Sequence, residues 1–318
     1  MKAVVVGGSG FVGSHVADAL SARGHEVVLF DVKPSPYAAP TQRMVLGDLL
    51  DRAAIEQVLQ GCDVAYHFAG LADLDDATTK AVETVQQNIL GTTVLLDAAV
   101  QAGITRVVYA STIYVYGRLG GFYRCSKQAA ELYIEEYQRR YGLAYTVLRY
   151  GSLYGPRANA YNAVWSYLQQ GLLEGTIVYP GTGEEAREYV HVRDAAKLSV
   201  DILAEEFANQ HVIITGHHRM KAAEMLQMIR EILNHRVTIE YAGADADDAH
   251  YTAIPYSFIP KVGNKLVSHC YVDMGQGLLE CLHEMAAAHD PPAAAASLGA
   301  DGLNEPRGAR PQRVRAQA

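Results

Sequence analysis

The chain has 318 residues, of which 49% are hydrophobic and 19% charged, with a formal net charge of −8. That composition supplies a substantial core and excludes global disorder, while the acidic balance argues against nucleic acid as a partner. No uninterrupted apolar stretch is long enough for a spanning helix, so no membrane partner is expected.

The first six residues, Met1-Lys2-Ala3-Val4-Val5-Val6, resemble a signal start only until Gly7-Gly8-Ser9-Gly10 interrupts them, and read as a strand rather than a secretory signal. Apolar runs of strand length then alternate with helical periodicity. In chain order the pattern predicts strand Ala3–Val6, helix Ser14–Arg23, strands Glu26–Asp31 and Met44–Gly47, helix Arg52–Leu59, strand Val64–Phe68, helix Thr79–Ala102, strand Arg106–Ala110, helix Tyr123–Tyr141 and strand Tyr145–Arg149. This alternation implies an α/β fold with a doubly wound parallel sheet over residues 1–150 and right-handed crossovers. Residues 151–285 mix helices and short strands. Residues 286–318 turn to Ala, Pro and Arg, ending in Arg307, Arg310, Arg313 and Arg315, and are expected to be a disordered tail. The four cysteines, Cys62, Cys125, Cys270 and Cys281, form no metal-ligand spacing, so no metal and reduced cytoplasmic thiols are expected. His217, His218 and Arg219 lack the carboxylate or Cys partners of a metal site.

The first turn is Gly7-Gly8-Ser9-Gly10-Phe11-Val12-Gly13, directly after the first strand and ahead of an amphipathic helix. Glycines at 7, 10 and 13 allow a tight turn, close approach of backbone to a pyrophosphate, and close helix–strand packing, the fingerprint of a Rossmann sheet. The following helix aims its N-terminal N–H groups at phosphates. Asp31 ends the second strand, where a carboxylate binds the adenosine ribose and repels a 2′-phosphate, favouring NAD over NADP. Lys33 lies close enough to soften that discrimination. Asp48, in Gly47-Asp48-Leu49, is placed either to reach the adenine edge or to cap its strand end.

Tyr123 and Lys127 stand one helical turn apart in Tyr-Arg-Cys-Ser-Lys. An ammonium beside a phenol lowers the phenol's pKa from about 10. Such a Tyr takes a proton from a sugar hydroxyl while hydride leaves for a nicotinamide. In a chain with 20 Tyr the spacing alone is weak; its weight comes from what precedes it.

Together these pieces resemble the extended short-chain dehydrogenase/reductase family, in its nucleotide-sugar epimerase and dehydratase branch. The matching segments are Gly7–Gly13, Gly47-Asp48-Leu49, His67-Phe68-Ala69-Gly70, Asn88-Ile89-Leu90-Gly91-Thr92, Ala110-Ser111-Thr112 with Val115-Tyr116-Gly117, Tyr123 with Lys127, Leu148-Arg149-Tyr150 with Tyr154-Gly155-Pro156-Arg157, and Arg187 to Asp194. They run in family order. The resemblance implies that Thr112 hydrogen-bonds the reacting hydroxyl, Tyr123 is the acid/base, and Lys127 holds the nicotinamide ribose. Asn88 steadies the helix beneath the site, and Phe68, Ala69 and Gly70 pass under the cofactor pyrophosphate. Arg187 grips the substrate diphosphate, a task suited to a planar charged fork, and Ser152, Arg157 and Asn162 border the substrate. By the same resemblance, residues 151–285 are expected to form a smaller substrate-binding lobe with interleaved returns to the sheet. His191 reads as a packed strand residue.

Three departures from the family pattern matter. The dehydratases carry Asp–Glu after the catalytic Thr, and here Ile113 and Tyr114 stand there. Only five residues separate Gly117 from Tyr123, where a longer loop usually frames the sugar. Ser152 replaces an Asn. The expected function is an NAD-dependent epimerase of a nucleoside-diphosphate sugar, most simply a UDP-sugar, acting at C4 in a cytoplasmic homodimer. The alternatives are a keto-sugar or carbonyl reductase and a nucleotide-sugar dehydratase. A non-catalytic NAD-binding scaffold needs neither Thr112, Tyr123 nor Lys127.

Overall fold

The computed structural model describes residues 1–72, 79–216 and 219–243. The expected tail, His217, His218, Cys270 and Cys281 lie outside the described residues. Strand β1 (Lys2–Val6) is followed by α1 (Phe11–Ala22), β2 (Glu26–Asp31), β3 (Arg43–Leu46), α2 (Arg52–Leu59) and β4 (Val64–His67). A short helix α3 (Ala81–Thr84) runs through a π turn (Val85–Leu90) into α4 (Gly91–Ala102). Then come β5 (Arg106–Thr112), a 3₁₀ turn (Ile113–Tyr116), α5 (Gly121–Tyr141) and β6 (Ala144–Tyr150).

The main sheet has seven parallel strands, six of them β3-β2-β1-β4-β5-β6 in spatial order, closed at the β6 edge by β10 (Gln210–Ile214). That seventh strand is the return to the sheet expected from the second half of the chain. Order reverses between β1 and β4, so a crevice opens outside their carboxyl ends, where such sheets bind ligands. Ala3 to Val6 are wholly buried, as a central parallel strand covered on both faces requires. Alternation decides the layers. Val4, Val6, Val28, Phe30, Ala65 and Val107 face one core with residues of α2, α4 and α5. Ala3, Val5, Val27, Leu29, Tyr66 and Val108 face the other with α1 and α7 (Val192–Asp201).

The second lobe is built from β7 (Ser152–Tyr154), α6 (Ala163–Leu173), β8 (Thr176–Tyr179), β9 (Ala186–His191), β11 (Arg219–Lys221), α8 (Ala222–Ile232) and β12 (Thr238–Tyr241). It contains a three-stranded sheet β11-β9-β7 and a two-stranded sheet β12-β8. Its own core gathers Ile177, Tyr179, Met225, Leu226, Ile229 and Val237.

Strand boundaries read from the sequence differ by one or two residues, and one difference carries chemistry. Strand β5 runs on to Thr112, so that residue is fixed by the sheet rather than by a loop. The long helix expected over Thr79–Ala102 is broken in register by the π turn, which contains Asn88. Among the described residues no helix is long and apolar enough to cross a membrane.

Candidate active site

The glycine-rich turn joins β1 to α1 as expected, and its close packing is measurable. Gly7 has φ +86°, and a Cβ there would lie 2.5 Å from Ala69 N. A Cβ on Gly13 would lie 2.2 Å from Gly7 O. Phe68 N and Ala69 N both donate to Val6 O, at 2.8 and 2.9 Å, which binds the β4 exit to the β1 exit. Helix α1 has Gly10 as its N-cap with no side-chain cap and no acidic residue in its first turn. Its first N–H groups, with those of Phe11 and Val12, are therefore left for an anion. Asp31 accepts from Ser9 N at 3.0 Å and Lys33 N at 3.2 Å, tying the β2 exit to the same turn. These features fit a dinucleotide: a tight turn for the pyrophosphate and a carboxylate for the ribose.

Asp48 and Leu49, next to each other after β3, differ in exposure. Asp48 is exposed and accepts from Leu50 N at 2.9 Å, which is the cap reading of that position. Leu49 is 4% exposed and lies beneath α4, where a Cβ on Gly91 would meet it at 2.5 Å. Leu49 is thus part of the core.

Helix α5 starts at Gly120, whose φ of +99° suits only glycine, and carries Tyr123 and Lys127 on one face. Thr112 caps the 3₁₀ turn through Tyr114 N at 3.3 Å and its hydroxyl bonds the Tyr123 phenol. Lys127 is buried, donates to Ala110 O at 2.8 Å, and has its Nζ 5.7 Å from the centre of the Tyr123 ring and 4.7 Å from that of Tyr109. Burial pulls Lys127 down to about 8, against a raising effect of Glu131. The sequence reading had Lys127 lowering the Tyr123 phenol. Here the phenol is instead pushed above its ordinary value, chiefly by burial and then by Tyr114, with Thr112 opposing. Burial takes water away from the charged phenolate, and this penalty sets the direction of the shift.

Asn88 explains the π turn. Its amide accepts from Leu71 N at 2.7 Å and donates to Leu71 O and Ser126 Oγ, both at 2.9 Å. The extra residue in the turn swings Asn88 inward, where it joins the segment after Gly70 to α5 one residue before Lys127. Both of its N–H donors and one position of its oxygen go to protein groups, which fixes the geometry of this segment.

The residues expected to border the substrate divide. Arg187 lies on β9 within the electrostatic reach of Tyr167 and Tyr179, in the second lobe. Ser152 pairs with Tyr189 across the same sheet. Asn162 caps α6 through Trp165 N at 3.1 Å and donates to Leu153 O at 2.8 Å. Arg157 turns back onto the nucleotide-binding half, paired with Asp18 at 2.8 Å and stacked 4.6 Å over the ring of Tyr37. Of these residues, Arg187 is the one whose charge and place in that lobe suit a diphosphate. His191 accepts from Arg193 N at 3.3 Å and caps α7.

The sequence reading passed over Glu131 and Arg149. Glu131, eight residues beyond Tyr123 on the same helix face, is 5% exposed. It accepts from Ser111 Oγ at 2.5 Å and from Arg149 Nε and Nη2 at 3.1 and 2.6 Å. The repeat of four along Tyr123, Lys127 and Glu131 was the signal that would have found it.

Residues 3–216 match the family model described as the NAD dependent epimerase/dehydratase family. The chain belongs to that family. It is 28% identical over 282 residues to the UDP-glucose 4-epimerase of Corynebacterium glutamicum, covering 78% of this chain and 85% of the relative. It is 27% identical over 259 residues to a UDP-N-acetyl-alpha-D-glucosaminuronate decarboxylase of Bacillus cytotoxicus, covering 73% and 80%. The solved UDP-glucose 4-epimerase of Thermus thermophilus in complex with NAD superposes with a TM-score of 0.69 at 27% identity, covering 76% of this chain and 85% of that one. These relatives differ in chemistry, so the residues around Thr112 must decide among activities.

Proposed function

We propose that the protein is an NAD-dependent epimerase of a nucleoside-diphosphate sugar, most simply a UDP-hexose, working at C4. The supporting observation is the turn after Thr112. The two positions that carry elimination acids in the dehydratases are Ile113, 3% exposed, and Tyr114, against whose ring a Cβ on Gly120 would lie at 2.8 Å. Neither supplies a carboxylate, so an intermediate ketone has no partner for loss of water.

Bound NAD accepts a hydride from the sugar and returns it. Thr112 orients the reacting hydroxyl, and Tyr123 removes its proton and later gives one back. Lys127 supplies the nearby positive charge. Incubation with UDP-glucose should yield UDP-galactose with no accumulation of NADH. A reductase is the second reading, supported by the short segment between Gly117 and Tyr123, which Arg124 Nη1 ties down through Gly117 O at 3.0 Å. Stoichiometric consumption of NADH on a keto-sugar, without epimer, would establish that reading in place of ours.

Arg187 is proposed to hold the substrate diphosphate. A charge-assisted bidentate pair contributes about 1.5–3 kcal/mol, so Arg187→Ala should raise substrate KM about 10- to 100-fold. NAD affinity should stay within about twofold, because distant sites act nearly independently. Titration with each ligand separately tests this, and an NAD defect with intact sugar-nucleotide binding overturns the role.

The protein is further proposed to act as a cytoplasmic homodimer packed through the segment Thr79–Ala102 and the helix Tyr123–Tyr141 within α5. Of the apolar residues on these helices, Leu95, Leu96 and Ile134 are core residues and Val94 packs partly buried against the same core. The apolar side chains left outside are Val82, Val85, Leu90, Leu132 and Tyr133, a set large enough to favour a partner. Light scattering at micromolar concentration should return twice the chain mass; a monomer mass counts against the interface.

A further inference from the structure

Lys127 is buried among neutral groups. The ring of Tyr109 and the carbonyl of Ala110 face it from β5. Tyr123 faces it from its own helix. From β4 comes His67, buried, with Nε2 bonded to Thr92 Oγ1 at 2.9 Å and held down near 3 by burial and by Lys127 itself, hence uncharged. Among the described residues the carboxylate that acts on Lys127 is Glu131, one turn further along α5.

Glu131 is aimed from three elements. Ser111 holds it from β5, next to Thr112, and Arg149 from β6 grips both oxygens. Arg149 also donates to Tyr116 OH at 2.7 Å and stacks over that ring at 4.7 Å, joining the carboxylate to the turn that follows Thr112. From the edge strand β10, His211 approaches to 3.9 Å of Glu131 and 3.2 Å of Glu135; burial and then Arg149 lower its proton affinity. A buried ion pair adds little stability over an apolar pair of the same shape. Its position one turn from Lys127 gives the carboxylate a second use.

We propose that Glu131 is the buried counter-charge that keeps Lys127 an ammonium beside Tyr123, with Ser111 and Arg149 aiming it. The inference rests on reading Tyr123 and Lys127 as the working pair and extends that site to a positioning residue that touches neither ligand. Without this charge, burial would drive Lys127 towards the neutral amine, and the phenol would lose its electrostatic support.

The test reads the lysine directly. The full-length chain is labelled with carbon-13 at lysine Cε, and the Lys127 resonance is assigned by its loss in Lys127→Met and followed against pH. In Glu131→Gln its midpoint should fall by about one pH unit or more, the usual effect of losing a close opposite charge. Glu131→Gln leaves the half-buried Arg149 unpaired, at a cost to folding. The double variant Glu131→Gln/Arg149→Met removes that penalty and, because it also removes a positive charge, should show a smaller fall in the same direction. Ser111→Ala removes a hydrogen bond but no charge and should leave the midpoint in place. An unmoved midpoint in whichever of the two Glu131 variants folds overturns the proposal, as does a fall of equal size in Ser111→Ala. No substrate is involved, so a chain that failed to epimerise UDP-glucose would leave this result standing.

Discussion

Tyr123→Phe should lower turnover about 100- to 10,000-fold, the range of a lost general acid–base group, while the fold and NAD affinity stay near those of the parent. The change deletes one oxygen and keeps the ring against which Lys127 and Thr112 are arranged. Its effect should fall on kcat, because the hydroxyl matters most when the proton moves. The structure sharpens this expectation. With the phenol pushed up by burial, ionisation depends on charge brought close when the cofactor and substrate bind, and no other described hydroxyl is held in the same place by Thr112. Rapid-quench or coupled assays of epimer formation, with NAD titrated in parallel, decide it; retention of most of the activity would place the acid/base elsewhere.

Gly13→Ala should weaken NAD binding by about 10- to 100-fold. The added methyl would begin 2.2 Å from Gly7 O, backbone against backbone, so neither partner has a rotamer through which to yield. Overpacking of this sort costs about 1–3 kcal/mol, which converts to the stated range. Relief requires α1 to tilt away from the β1 exit, and the uncapped N–H groups that make its start suitable for phosphate then lose their aim. Calorimetric titration should show the loss together with unchanged helical ellipticity. In the same experiment the parent should bind NAD more tightly than NADP, because Asp31 stands where a 2′-phosphate would come. Unaltered NAD affinity in Gly13→Ala would remove the pyrophosphate from this turn.

The nucleotide-binding half was legible because each of its signals is local. A buried parallel strand is a continuous apolar run, and the turn after it needs glycine for reasons that act within a few residues. Tyr123 and Lys127 were legible for the same reason, one turn apart on one helix. What escaped were the residues whose meaning depends on contacts far along the chain. Glu131 meets Arg149 only because β6 lies beside β5, and Arg157 meets Asp18 only because the second lobe folds back on α1. The bond by which Asn162 caps α6 is local, to Trp165 three residues ahead, whereas its bond to Leu153 O depends on the fold of the second lobe. The burial of Leu49 depends likewise on α4, more than forty residues further on. The phenol's proton affinity was misjudged since burial, unlike spacing, cannot be counted from a single chain.

The place of β10 has a consequence for how the protein comes off the ribosome. Its strand spans Gln210–Ile214 but pairs with Thr146 to Tyr150, so the edge of β6 stays bare until more than sixty further residues have been made. A nascent chain stopped at residue 150 would hold all the glycine-turn chemistry and still expose an unpaired, apolar strand edge, the kind of surface that recruits other strands. The same closure brings Asn209 onto Tyr145 N at 3.2 Å and His211 up to Glu135. The first half of the sheet is therefore completed by a strand made much later, and a boundary drawn at residue 150 is one at which the chain should not be cut.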